Sequence, residues 1–247
     1  MWGTRNSIGG NAMRNFIKQF PFITIIFVIV NIVLFYTVNT WEDLTLDTTY
    51  VENHRLLTSM FAHKNAAHLW VNMAMILPAG LAVELLVGRI KMVIMMIVAE
   101  LVVGYFAINN DTSMVTGGAS AVGYALIVAC VFAMVKSYVI ERRNIEDWDH
   151  KSSVMGVIAG GCSILMSLVV PLAMWDAWSQ YTDVSNGVAN FAHFWGGAVG
   201  FILGLVFSIS TIKQAVNAGI RHLDSMRTNA RLNREHNARM REYWGQA

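Results

Sequence analysis

Four side chains in this sequence could together carry out acyl transfer: Ser120, His193, His68 and Asn72. Ser120 sits in "GGASAVGYA", one hydroxyl among glycines and alanines. His193 lies in "GVANFAHFWGGAVGFILG", and His68 and Asn72 in "HKNAAHLWVNMAM". A serine hydroxyl is a weak nucleophile and needs an adjacent base, for which a neutral imidazole is suited near neutral pH. The tetrahedral oxyanion then needs preorganised donors. The Asn72 amide, a His68 N–H and the backbone N–H of Ser120 are of the right kind. With no intramembrane aspartate to orient the imidazole, the arrangement would be a dyad held by packing, and Tyr124 is a candidate ring to stack on His193. Taken singly, each residue has a structural reading: a serine bonding an upstream carbonyl, an asparagine bridging two helices, a tyrosine filling space.

The surroundings of these residues are apolar. Of 247 residues, 55% are hydrophobic and 14% charged, whereas soluble domains carry about 25% charge. The apolar residues fall into six blocks: Phe20–Val38, Ala67–Val87, Met92–Ile108, Ser120–Val135, Val154–Met174 and Val188–Ile209. Each is long enough, or nearly so, to cross a hydrocarbon layer. The first is too long for a signal-peptide core and reads as a retained helix. The predicted architecture is an all-α membrane protein of six helices. It has an amino-terminal segment over 1–19, a membrane domain over 20–210 and a basic tail over 211–247.

Charge sets the orientation. Arg5, Arg14 and Lys18 precede the first block, Arg89 and Lys91 follow the second, and Lys136, Arg142, Arg143 and Lys151 follow the fourth. The tail is rich in arginine. The links "NNDTSMVTGG" and "WDAWSQYTDVSN" hold neither Lys nor Arg. The positive-inside rule then puts both termini in the cytoplasm, which six crossings also require. On that topology the second, fourth and sixth helices all start at the outer surface. His68, Asn72, Ser120 and His193 therefore share one depth, within roughly 10 Å of the outer interface. Small residues favour close helix approach. Gly118 and its neighbours surround the serine, and Gly196, Gly200 and Gly204 recur at four-residue spacing after His193.

Polar groups at membrane depth are costly, and a cluster of them marks a functional site. The pieces "HRLLTSMFAH", "HLWVN", "GGAS" and "AHFWGGAVG", in this order and topology, resemble rhomboid intramembrane serine proteases over about Arg55 to Gly204. The resemblance implies a six-helix rhomboid bundle, with Ser120 as nucleophile and His193 as general base and then acid. It also implies His68, Asn72 and the Ser120 amide as oxyanion donors. The substrates would be transmembrane segments of other membrane proteins, cut near their outer end, with the fifth helix and the loop before the sixth as gate and cap. The sequence differs from the family habit at Ala121, where Gly is common, and at His54-Arg55, where Trp-Arg is common. Glu84 stands where the family has a structural glutamate, and reads as a helix-locking hydrogen-bond partner.

No cofactor or metal is expected. The histidines His54, His63 and His68 near one surface are loosely spaced and lack an "HExxH" pattern, and His63 reads as a loop-packing residue. A metal or proton transporter and an inactive rhomboid-like escort remain as rival classes. The basic tail reads as a solvated helix or disordered tail, with anionic lipid as the sharper alternative; nucleic acid is not an expected partner. The compact form suggests the plasma membrane of a prokaryote. Glu100, in the middle of the third block, has no role in the dyad chemistry.

Overall fold

The fold was taken from a computed structural model of the chain, which describes residues 20–38, 40–109, 115–146, 154–179 and 190–245. Its elements are α1 (Phe22–Thr37), α2 (Thr40–Leu44), β1 (Leu46–Asp47), α3 (Arg55–Thr58), a single 3-10 turn (Ser59–Phe61), α4 (Ala66–Leu86), α5 (Arg89–Ile108), β2 (Val115–Thr116), α6 (Ser120–Glu146), α7 (Val154–Ser179) and α8 (Asn190–Gly245). The segment 1–19 and parts of the links before α6 and α8, including the expected cap, lie outside the described residues.

Among the described residues, five helices are long and apolar enough to cross a membrane: α4, α5, α6 over Ser120–Tyr138, α7 over Val157–Ser179, and α8. The first expected crossing, α1, is an apolar helix of 16 residues, about 24 Å at 1.5 Å per residue. It is shorter than the ~20 residues a full crossing takes. Two helices outrun the apolar blocks that announced them: α6 continues to Glu146 rather than stopping at Val135, and α8 continues past Ile209 to Gly245. Hydropathy marks only the lipid-compatible part of a helix. Lys, Arg and Glu are good helix formers and continue the backbone ladder beyond it.

The core of the unit ending at Ser208 forms around α4 and α6, which pack on each other and on α7; α1 and α5 flank them. Buried Leu69, Ile76, Val83, Met95, Leu126 and Ile127 fill the interior. Residues Ile209–Ala247 form a second unit. Its helix is exposed from Gly219 to Trp244, with Arg227–Asp224 and Arg231–Glu235 pairs at one-turn spacing.

One buried carboxylate ties α1 to α4. Glu84, buried on α4, accepts from the backbone N–H groups of Ile23 (3.1 Å) and Thr24 (2.8 Å) and from the Thr24 hydroxyl (2.8 Å). These are orphan donors at the start of α1, where no earlier turn can accept from them. Arg89 neutralises the carboxylate from the start of α5, with Nε 3.2 Å from Oε1, and its Nη2 donates to the Phe20 carbonyl. Gly80 lets the helices approach, because a Cβ there would meet Thr24. Glu84 is thus a helix-locking residue, as its position in the sequence indicated. Glu84→Ala would strand these donors and the Arg89 charge, and is expected to cost about 3 kcal/mol. A melting curve in detergent, read beside one for Glu84→Gln, checks it, with the glutamine variant losing less.

Candidate active site

Ser120 opens α6, and its position is prepared by the chain before it. The short pairing of Leu46 with Thr116 and of Asp47 with Val115 holds the approach strand against the first loop. The Gly118 N–H then donates to the Ser59 carbonyl at 2.8 Å. That loop is itself stapled by Arg55, which pairs with Glu52 and donates from Nη1 to the Thr45 carbonyl (3.0 Å) and the Glu42 carbonyl (3.3 Å). The guanidinium therefore carries the loop's organisation, whereas His54, where the family commonly has Trp, is largely exposed beside Glu52.

Gly118 has φ of +111°, which L side chains rarely adopt. A Cβ there would also meet His68 Cε1 at 2.5 Å and Nε2 at 2.8 Å, and Asn72 Nδ2 at 3.4 Å. The backbone just before Ser120 is thus in contact with both expected oxyanion donors. His68 is placed by the start of α4: Asn65 caps the helix by accepting from the His68 N–H at 2.9 Å. Asn72 follows one turn on and is buried.

The Asn72 amide is oriented by a residue whose part in the site was missed at the level of sequence. Asn72 Nδ2 lies 3.1 Å from His63 Nε2, and His63 Nδ1 lies 3.3 Å from the Phe61 carbonyl. An amide nitrogen can only donate, so Nε2 accepts and Nδ1 carries the proton. One Asn72 N–H is used in this bond and the other is left for a further acceptor. A histidine in the loop just before a helix bearing a polar membrane-depth residue was the available signal. Burial, with the neighbouring His68 charge adding to it, pushes His63 down to about 4.

His193, on α8, reaches the same place through a glycine seam. A Cβ at Gly196 would run into the Ala121 backbone, and one at Gly200 into the Ala125 backbone. The two helices therefore touch main chain to main chain immediately after Ser120. This contact lays the His193 ring on Tyr124, with centroids 4.4 Å apart and planes within 6°. Phe106 stacks on Trp195 at 3.8 Å, which pins α8 to α5 from the other side. The Nδ1 of His193 is buried without a hydrogen-bond partner, so stacking rather than a hydrogen bond holds the ring. No hydrogen bond joins Ser120 Oγ to His193 among the described residues. Asp176, near the end of α7, acts electrostatically on both His193 and Tyr124; in the sequence it passed as a link residue.

A cavity of about 10 Å³, enough for about one water, adjoins Ser120. Leu46, Ser59, Glu100, Thr116 and Gly118 line it with Ser120; His68, Asn72 and His193 do not. Glu100 is buried, and its Oε1 has no hydrogen-bond partner.

Two outcomes follow from this geometry. Gly196→Val would push α8 off the Ala121 backbone and is expected to remove the His193–Tyr124 contact and lower the melting temperature, whereas Gly219→Val, where a Cβ would meet nothing, would not. The second concerns pH. Between about 4 and the free value of 6.5, the unfolded chain binds a proton at His63 that the native chain does not. Its contribution is therefore fully present above pH 6.5 and is lost as pH falls towards 4, by about 3 kcal/mol in all. His63→Gln should flatten that part of the stability profile, measured by melting temperature against pH in one detergent.

The Rhomboid domain family profile matches residues 51–210, from the first loop through the apolar part of α8. No curated protein sequence matches the chain. With the matched region covering most of the chain and the helical membrane architecture agreeing with it, the chain belongs to the rhomboid family.

Proposed function

We propose that the chain is an intramembrane serine endopeptidase that cuts transmembrane segments of other membrane proteins. The observation that carries the reading is the convergence at one point of Ser120, the His193–Tyr124 stack and the His68 and Asn72 contacts on Gly118. These residues come from three helices and are far apart in sequence. Packing alone gives no reason for two histidines, an asparagine and a serine to gather at membrane depth.

In this reading Ser120 Oγ attacks the scissile carbonyl carbon and His193 takes its proton. The oxyanion is held by the remaining Asn72 N–H, His68 and the Ser120 amide at the start of α6, where the helix dipole adds to the donors. His193 then gives the proton to the leaving amine. Water attacks the acyl-enzyme with His193 again as base, which restores Ser120. The Ser120–His193 hydrogen bond forms in the substrate complex; catalytic hydrogen bonds in free enzymes are commonly long. No metal or cofactor takes part.

The orientation proposed has both termini in the cytoplasm of a prokaryotic cell, with α1 as the first of six crossings and the cut near the outer face. The main alternative is a rhomboid relative that binds membrane proteins without cutting them. The unbonded Ser120 hydroxyl is the observation that favours it.

Labelling of the purified chain by a fluorophosphonate probe separates the two. The parent should label, and Ser120→Ala should not. Ser120→Ala and His193→Ala should each abolish cleavage with the fold intact, and Asn72→Ala should slow it about tenfold or more. A folded parent that never labels, beside an active rhomboid that does, would establish the escort reading instead.

A further inference from the structure

The end of the bundle away from Ser120 holds polar groups that neither the dyad nor the helix lock at Glu84 uses. Lys136 lies about 24 Å beyond Ser120 along α6, at 1.5 Å per residue. Lys91, at the start of α5, reaches across to α8. Its Nζ donates to the Phe207 carbonyl at 3.1 Å and sits 5.6 Å from the centre of the Phe207 ring. Lys91 and Lys136 are both half-buried and close enough for their charges to repel. Among the described residues no carboxylate pairs with either of them, and no hydrogen bond engages the Lys136 ammonium. The Glu84 carboxylate at the same end is already taken up by Arg89 and the start of α1.

Ser208 is a second and independent observation. It is 1% exposed, and its Oγ has no hydrogen-bond partner. A serine within a helix ordinarily donates to the carbonyl one turn back. Ser208 continues the series Gly196, Gly200 and Gly204 at four-residue spacing, on the face of α8 that lies against α6. A Cβ at Gly204 would meet the Phe132 ring. Lys136 and Ser208 are each one turn beyond that contact, so they continue the same seam on opposite sides.

Two like charges and an unused hydroxyl call for an anion with several oxygens. Each ammonium offers three donors and no acceptor. A phosphate ester accepts from both, relieves their repulsion and leaves an oxygen for Ser208. The location selects the source of the phosphate. The membrane-compatible part of α6 ends at Tyr138, and α5 begins at Arg89. Exposed Ile90, Ile94, Leu205 and Val206 stand within a turn of Lys91 or Ser208 and give acyl chains an apolar wall.

We infer that Lys91, Lys136 and Ser208 form a binding site for the phosphate of an anionic phospholipid, between α5, α6 and α8 at the end opposite Ser120. In the orientation proposed above this end meets the cytoplasmic leaflet, where anionic headgroups concentrate. The lysine stems are flexible, so a headgroup enters by side-chain rotation. A zwitterionic lipid carries the same phosphate but brings its own cation, which the lysines repel. The bound lipid ties α5 and α6 to the helix that bears His193, and it does so whether or not Ser120 cuts.

The test uses the full chain, purified in maltoside micelles and washed free of lipid. It is melted with increasing phosphatidylglycerol, phosphatidylcholine or glycerol 3-phosphate. Saturating phosphatidylglycerol should raise the melting temperature of the parent about 5 °C more than phosphatidylcholine does, and glycerol 3-phosphate should not raise it. Lys91→Gln, Lys136→Gln and Ser208→Ala should each raise the lipid fraction needed for half the effect about fivefold or more. Lys136→Arg, which keeps the charge, should stay within about twofold of the parent. The two lipids are compared within each variant, so a change in basal stability cancels. Lys136→Gln, whose parent side chain makes no bond, carries the test if Lys91→Gln does not melt cooperatively. Equal rises with the two lipids in the parent overturn the inference, as does a parent-like response in folded Lys136→Gln. Loss of the response on changing Arg227, Arg231 and Arg234 to Gln would place the lipid on the tail instead. An equal rise with glycerol 3-phosphate would make the ligand a soluble phosphate, and either result also overturns the lipid site.

Discussion

The site depends on a main-chain contact between two helices. Gly196 and Gly200 of α8 lie directly against the backbone of Ala121 and Ala125 on α6. Hydrocarbon supplies no hydrophobic force between helices, so close van der Waals approach is what holds them. Any Cβ at those positions would drive the helices apart. The same approach brings the His193 ring onto Tyr124, so the packing that stabilises the bundle also sets the geometry of the candidate base. Ala121 offers its backbone to this seam and is buried in a cluster with Leu46, Val103, Phe191 and Ala192.

A second constraint is that polar groups at membrane depth need partners. Glu84 takes up the first N–H groups of α1 and meets Arg89, and Asn72 donates to His63. Arg55 performs the same service for carbonyls of the first loop. Among the described residues, four buried side-chain atoms stay unpaired: in Asn31, Glu100, His193 and Ser208. Two of those residues, His193 and Glu100, flank Ser120. The open atoms of Asn31 and Ser208 lie elsewhere, so unpaired polar atoms are not confined to the surroundings of the serine.

The first loop joins these two constraints. It is held by Arg55, it accepts the Gly118 N–H through Ser59, and it supplies His63 to orient Asn72. The loop therefore fixes the backbone ahead of the candidate nucleophile and one of its expected oxyanion donors at once. Such a loop works as part of the wall of the site rather than as a simple connection between helices.

Much of this was legible in the sequence. Apolar blocks report lipid exposure directly, so α4 to α8 could be located from composition, and the residues Ser120, His193, His68 and Asn72 stood out because hydrocarbon penalises them. Glu84 was readable from the resemblance, standing where the family has a structural glutamate. Helix ends were less so, since α6 and α8 continue through polar residues that hydropathy does not register. What only the tertiary structure decided is which polar groups meet. The His63–Asn72 bond and the field of Asp176 at His193 join residues on different elements. So does the Glu100 cavity at Ser120. No periodicity encodes those pairings, because they are fixed by where glycines allow backbones to touch and by the helix rotations that follow. Sequence determined which side chains had to find partners in the membrane; packing determined which partners they found.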